Sequence, residues 1–281
     1  MSAVLRAETY KLIRRPMFWI LLALVASIVM FVYLSLLLVL ETASAEMDAQ
    51  QLQDFEEFIS LPETTSFGFG FTHQLAAIMA VILVSSSITT EFGWRTVITL
   101  VVWTGNRLHI VGAKLVTAAL ASAVLVGIGF VASFSGSFMT SLIHGSLELS
   151  DLGIDFFGDL VAGFGRTWLA VLVFPAGAAL IAMWTRSTAA AIAITLAFMF
   201  LEPFGLIVFD LLPDPVPVLG DLLVSTNTSA LLSANGSLQG LTDDGASDLP
   251  SAWQAAAYLL VVTVASAWLT VRLFVRRDIN V

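Results

Sequence analysis

Long apolar runs alternate with short polar segments along the 281 residues of this chain. The first run, Met17 to Leu40, carries no charge and is long enough to cross a hydrocarbon core of roughly 30 Å. Similar runs predict further spans at roughly 68–90, 108–134, 159–184, 189–211 and 252–274. The basic and then apolar N-terminus resembles a signal peptide, but its run exceeds the roughly 7–15 residues of a signal core and reads as a retained span. Backbone polar groups must be satisfied internally in lipid. The fold class expected is therefore an all-α integral membrane protein with six transmembrane helices, forming one transmembrane domain over residues 1–281.

The segments between the runs have their own patterns. Residues 1–16 read as an amphipathic helix, with Leu5, Leu12 and Ile13 on lipid and Lys11, Arg14 and Arg15 toward headgroups. Pro16 marks a break before the first span. Residues 41–65 are polar and acidic; a short helix is expected over 45–59, ended by Leu61-Pro62. An outer loop is expected at 141–158, and Thr185 to Thr188 make a tight turn that pairs the fourth and fifth spans as a hairpin. The fifth span is irregular. Glu202-Pro203 interrupts it, and Asp210, Pro213, Asp214, Pro215 and Pro217 follow, which predicts a broken or re-entrant helix buried in protein. Residues 220–250 read as a polar outer loop. No internal repeat is evident, so the inverted-repeat signature of many secondary transporters is missing.

Composition agrees: 58% of residues are hydrophobic and only 12% charged, against about 25% charged in soluble domains. The charges are sorted by side. Of the 12 Lys and Arg residues, all but Arg166 fall before the first span, at the connection of the second and third including the start of the third, between the fourth and fifth, or at the end of the sixth. Acids gather in the remaining segments. By the positive-inside rule both termini are cytoplasmic, in a multi-pass protein of the cell membrane. There is no cysteine, so disulfides and thiolate metal sites are excluded.

The inner connection from Glu91 to Arg107, with Lys114 beyond it, carries the main functional signal. Glu91 and Arg95 are spaced to pair on a helix, and Trp94, Val97, Ile98, Leu100 and Val101 give that helix an apolar side. Two readings fit, an interfacial anchor between two spans and a docking helix for a cytoplasmic partner. Arg166 and Glu202 are ionisable residues set well inside spans, where isolation is costly. They read either as an ion pair locking the hairpin of spans four and five, or as groups lining a polar cavity or outer gate. Phe67, Phe69 and Phe71 read as an aromatic anchor or part of an outer gate. His73, His109 and His144 share no metal-ligand spacing. No clustered catalytic constellation and no G-x-x-x-x-G-K-[ST] phosphate loop occurs. The chain is thus expected not to be an enzyme and to need no metal or cofactor.

A Glu, an Arg-Thr pair, an apolar stretch, a Gly-x-Arg turn and a Lys (Glu91, Arg95-Thr96, Gly105 to Arg107, Lys114) resemble the permease subunits of type-2 ABC exporters. Glu8-Thr9-Tyr10-Lys11-Leu12-Ile13-Arg14-Arg15-Pro16 looks like that family's amphipathic entry helix. The resemblance implies a permease domain that moves substrate outward, powered by a separate ABC ATPase subunit. It implies that residues 91–104 form a coupling helix seated on that ATPase, with Glu91, Arg95, Thr96 and Arg107 at the contact. It also implies a second permease copy, as homodimer or heterodimer. Membrane lipid is a partner and nucleic acid is not. The competing class is a secondary transporter or channel-like protein without an ATPase.

Overall fold

A computed structural model of the chain describes residues 2–43, 50, 61–93, 103, 106–144, 153–205, 208, 220–235 and 249–276. Among these residues every regular element is helical. In chain order the helices are α1 (Ser2–Arg14), α2 (Pro16–Ala43), α3 (Leu61–Gly93), α4 (Arg107–His144), α5 (Ile154–Thr185), α6 (Thr188–Leu201), α7 (Val224–Ser233) and α8 (Ala252–Arg276). Five are long and apolar enough to cross a membrane: α2, α3, α4, α5 and α8.

The fifth predicted span is where the structure departs most from the expectation. It begins as helix α6, which has 14 residues and ends at Leu201. At 1.5 Å per residue it rises about 21 Å, short of the roughly 30 Å core. Glu202 and Pro203 then turn the chain; most of the remainder of 189–211 lies outside the described residues. Helix α7 sits inside the stretch expected to be a polar outer loop, and it is largely buried. Most of its buried polar side chains are satisfied locally, which is why a polar sequence can be buried there. Thr226 Oγ1 donates to Gly220 O at 2.8 Å, and Asn227 Nδ2 donates to Asp221 O at 2.7 Å and Leu223 O at 2.8 Å.

Other boundaries shift for identifiable reasons. Leu61-Pro62 opens α3 rather than closing the helix expected at 45–59, which lies almost wholly outside the described residues. Proline is tolerated in a first helical turn, where its missing N–H has no intrahelical use. Pro16 does the same for α2, so the break after α1 falls where the sequence places it. Helix α4 runs on to His144, into the expected outer loop.

Helices α3, α4 and α5 form the centre, with α2 chiefly against α4, and with α6 and α8 chiefly against α5. Phe69 of α3 stacks on Phe130 of α4, ring centroids 3.7 Å apart, and Phe164 of α5 meets Phe130 edge-on at 5.7 Å. Tyr33 of α2 is buried between Gly68 and Gly136, and its hydroxyl donates to Thr64 O at 2.7 Å. A Cβ at either glycine would overlap the Tyr33 side chain. Contact this close is how membrane helices gain packing energy when lipid is as apolar as their own side chains. Phe31 and Leu38 of α2, Phe198 and Leu201 of α6, and Val261 and Trp268 of α8 remain exposed on outward faces.

Candidate functional site

Helix α1 lies against one end of the bundle, on the side where the basic residues gather. Glu8 and Leu12 are one turn apart and share the inward face of α1, and both are buried. Leu12 joins the core, whereas Glu8 meets charge. Lys11 Nζ lies 2.8 Å from Glu8 Oε1 and 3.2 Å from Glu91 Oε1. Lys114 Nζ lies 3.1 Å from Glu8 Oε2 and 2.7 Å from Glu91 Oε2. Two carboxylates and two ammonium groups thus form a closed, neutral ring. It joins α1 to the last turn of α3 and to the second turn of α4.

Glu8, Glu91 and Lys114 are nearly inaccessible, while Lys11 is partly exposed. Burying charge is costly unless partners replace water, and here each charged group faces two of opposite sign. Burial pushes the Glu8 carboxyl up, but the charge of Lys114 and the hydrogen bond from Lys11 outweigh it and hold Glu8 below its ordinary 4.5. Burial pushes Lys11 down, yet its contacts with Glu8 and Glu91 leave it above 10.5. A depressed carboxylate stabilises the fold above its unfolded value, and that contribution disappears as pH falls through the lowered folded value. A raised lysine stabilises below 10.5 and loses that contribution as pH climbs through the raised value. The ring's contribution should therefore be flat between about pH 5 and pH 10 and fall off outside that window. Unfolding measured across a pH series checks this, and Glu8→Gln should flatten the acid limb.

The same end holds further ties. Thr89 and Thr188 share a short hydroxyl hydrogen bond between α3 and α6. Arg186 closes α5 in a left-handed conformation, φ 54°, with its N–H on Ala182 O at 2.9 Å. Its guanidinium lies 5.5 Å from the centre of the Phe92 ring. Ser187 then caps α6 by accepting from Ala190 N. Asn106 caps α4, its Oδ1 accepting from Leu108 N at 3.0 Å. Arg107 Nη1 donates to Val275 O at 3.3 Å, tying the start of α4 to the end of α8. Both helix ends that border residues 94–105 are thus held firmly. Arg95 and Thr96 lie outside the described residues; Trp103, which is described, is exposed.

Sequence spacing suggests Arg95 as the partner of Glu91. Arg95 lies outside the described residues; within them, folding brings Lys11 and Lys114 to Glu91, from 80 residues before and from the next helix. Sequence reasoning also missed Glu8 and Lys11 as a site. The available signal was a lone acid in an otherwise basic helix, one turn before Leu12.

Arg166 and Glu202 also have partners other than each other. Both oxygens of Glu202 accept from Ser225 N, at 3.0 and 3.3 Å, at the N-terminal end of α7. Arg166 Nη1 donates to Ala234 O at 2.9 Å and Asn235 Oδ1 at 3.1 Å, just past its C-terminal end. No Arg166–Glu202 ion pair occurs among the described residues. The expected pairing is corrected on this point: α7 lies between the two charges. Its exposed N–H groups attract the carboxylate and its exposed carbonyls attract the guanidinium. Of the phenylalanine trio, Phe69 is a core residue, whereas Phe67 and Phe71 pack edge-on at 4.9 Å.

A family model described as ABC-2 family transporter protein matches residues 4–202, which include nearly all of α1, the whole of α2 to α6 and all four residues of the charged ring. No curated protein sequence matches the chain.

Proposed function

This chain belongs to the ABC-2 family of transporter proteins, and on that premise we propose that it is the membrane-spanning permease subunit of an ATP-driven exporter. The family and the apolar helices make it a multi-pass transport protein rather than a catalyst. The finer reading is ours. A separate ABC ATPase docks on residues 91–104 at the cytoplasmic face, with Glu91, Arg95, Thr96 and Arg107 near the contact. A second permease copy completes the path, and both termini are cytoplasmic in the cell membrane. Helix α6 with the turn at Glu202 and Pro203 forms the start of the fifth span within a single permease domain.

The observation that carries this reading is the charged ring. It braces α1 against the helix ends that enter and leave the 94–105 connection, so a push on that connection reaches α1, α3 and α4 together. A rigid platform of this kind transmits a rigid-body movement, whereas a loosely held loop would absorb it. Among the described residues Arg166 contacts the end of α7 and not Glu202, so these two do not form the membrane-depth charge relay that the secondary-transport alternative would use.

The test is co-expression of the tagged chain with a candidate ABC ATPase from the same genome. Co-purification is expected, with ATP hydrolysis stimulated on reconstitution. Arg95→Glu should weaken both while leaving the chain folded. Cross-linking in native membranes that captures no ATPase would instead favour a secondary transporter.

A further inference from the structure

A cavity of about 440 Å³ lies between α3, α5, α6 and α7, within the size range of small-molecule sites, roughly 300–1,000 Å³. Phe67, Phe71, Phe174 and Met199 make its walls mostly apolar. Its polar side combines two acceptors, Glu202 and His73, with Gln74 and three hydroxyls that can orient either way. Glu202 lines it, and one Ser225 N–H uses only part of that carboxylate's acceptor capacity. His73 also lines it, buried to 7% exposure, with Nε2 lacking any partner. The His73 ring bonds the Ala170 backbone. A ring N–H given to a carbonyl leaves the second nitrogen of a neutral imidazole as an acceptor. Ser225 Oγ, also on the lining, is buried and unpartnered and can orient either way.

We propose that this cavity binds an amphiphilic ammonium compound, its apolar body against the phenylalanines and its N–H donors on Glu202 and His73 Nε2. A half-buried carboxylate and a buried, unpaired imidazole nitrogen together disfavour an anion and leave a neutral hydrocarbon with unpaired polar groups. A protonated primary or secondary amine satisfies both acceptors and supplies the opposite charge. This deepens the transport reading by naming a substrate class for the permease, and it rests on that reading only for the meaning of binding, not for binding itself.

The test uses the full chain in lipid nanodiscs without any ATPase, so its failure is separate from failure of the ATPase pairing. The probe is dansylcadaverine, an alkyl primary amine carrying a dansyl group. Its control is the N-acetyl derivative, which keeps the apolar body and loses the charge. Fluorescence titration, corrected with empty nanodiscs, should show the amine binding about tenfold or more tightly than the acetylated form. Glu202→Gln and His73→Phe should each remove most of that preference and leave the acetylated form unchanged. Because Glu202 also holds α7, His73→Phe decides the matter if Glu202→Gln fails to fold. Equal binding of the two probes, or an unchanged preference in His73→Phe, overturns the proposal.

Discussion

Lys114→Met is expected to destabilise the protein by about 3–5 kcal/mol, the usual cost of removing one member of a buried ionic set. Lys114 is 8% exposed and bridges Glu8 and Glu91. Without it, two buried carboxylates face each other with only the partly exposed Lys11 between them. Thermal and denaturant unfolding in detergent micelles or nanodiscs checks this; a loss below about 1 kcal/mol would mean that the ring carries no such weight. The companion measurement is the fully neutral variant, with Glu8→Gln, Lys11→Met, Glu91→Gln and Lys114→Met combined. Buried ion sets replaced by well-packed neutral residues often recover or exceed the original stability. Recovered stability with lost ATPase stimulation would assign the ring to coupling; recovery of both would make it a packing feature alone.

Arg166→Gln and Glu202→Gln are expected to cost about 2 kcal/mol each and to add to about 4 kcal/mol in the double variant. A direct ion pair would behave otherwise, with the double variant hardly worse than either single. The structure predicts additivity because α7, 10 residues long, separates the two contacts by about 15 Å, beyond the range at which substitutions usually couple. A double-mutant cycle on unfolding free energy distinguishes the cases. A coupling energy above about 1 kcal/mol would mean that the two charges act as one unit.

Both sites show how far local pattern extends. The five long apolar helices, the break at Pro16 and the tight turn at Thr185 to Thr188 were legible, because each depends on a run of neighbouring residues. The end of α6 was legible as a break at Glu202-Pro203, though not as a 14-residue helix. Helix α7 was misread as loop. Its Thr and Asn side chains look solvent-seeking until their backbone partners are known.

The partner of Glu91 shows the same limit for charge. A spacing rule offers Arg95, which lies outside the described residues, but gives no sign that Lys11 and Lys114 reach Glu91 from separate helices. Arg166 and Glu202 were correctly marked as charges needing compensation, but a helix built from residues 224–233 supplies it to both.

The sequence by itself determined that the chain is a helical membrane protein and located the five segments apolar and long enough to span. Those properties follow from the energetic cost of placing polar groups in hydrocarbon, residue by residue. Only the tertiary structure decided which charges meet, which polar helix is buried, and where a cavity remains between spans. Those outcomes depend on contacts between distant segments, and in a medium without water a charge's energy is set by its nearest partners.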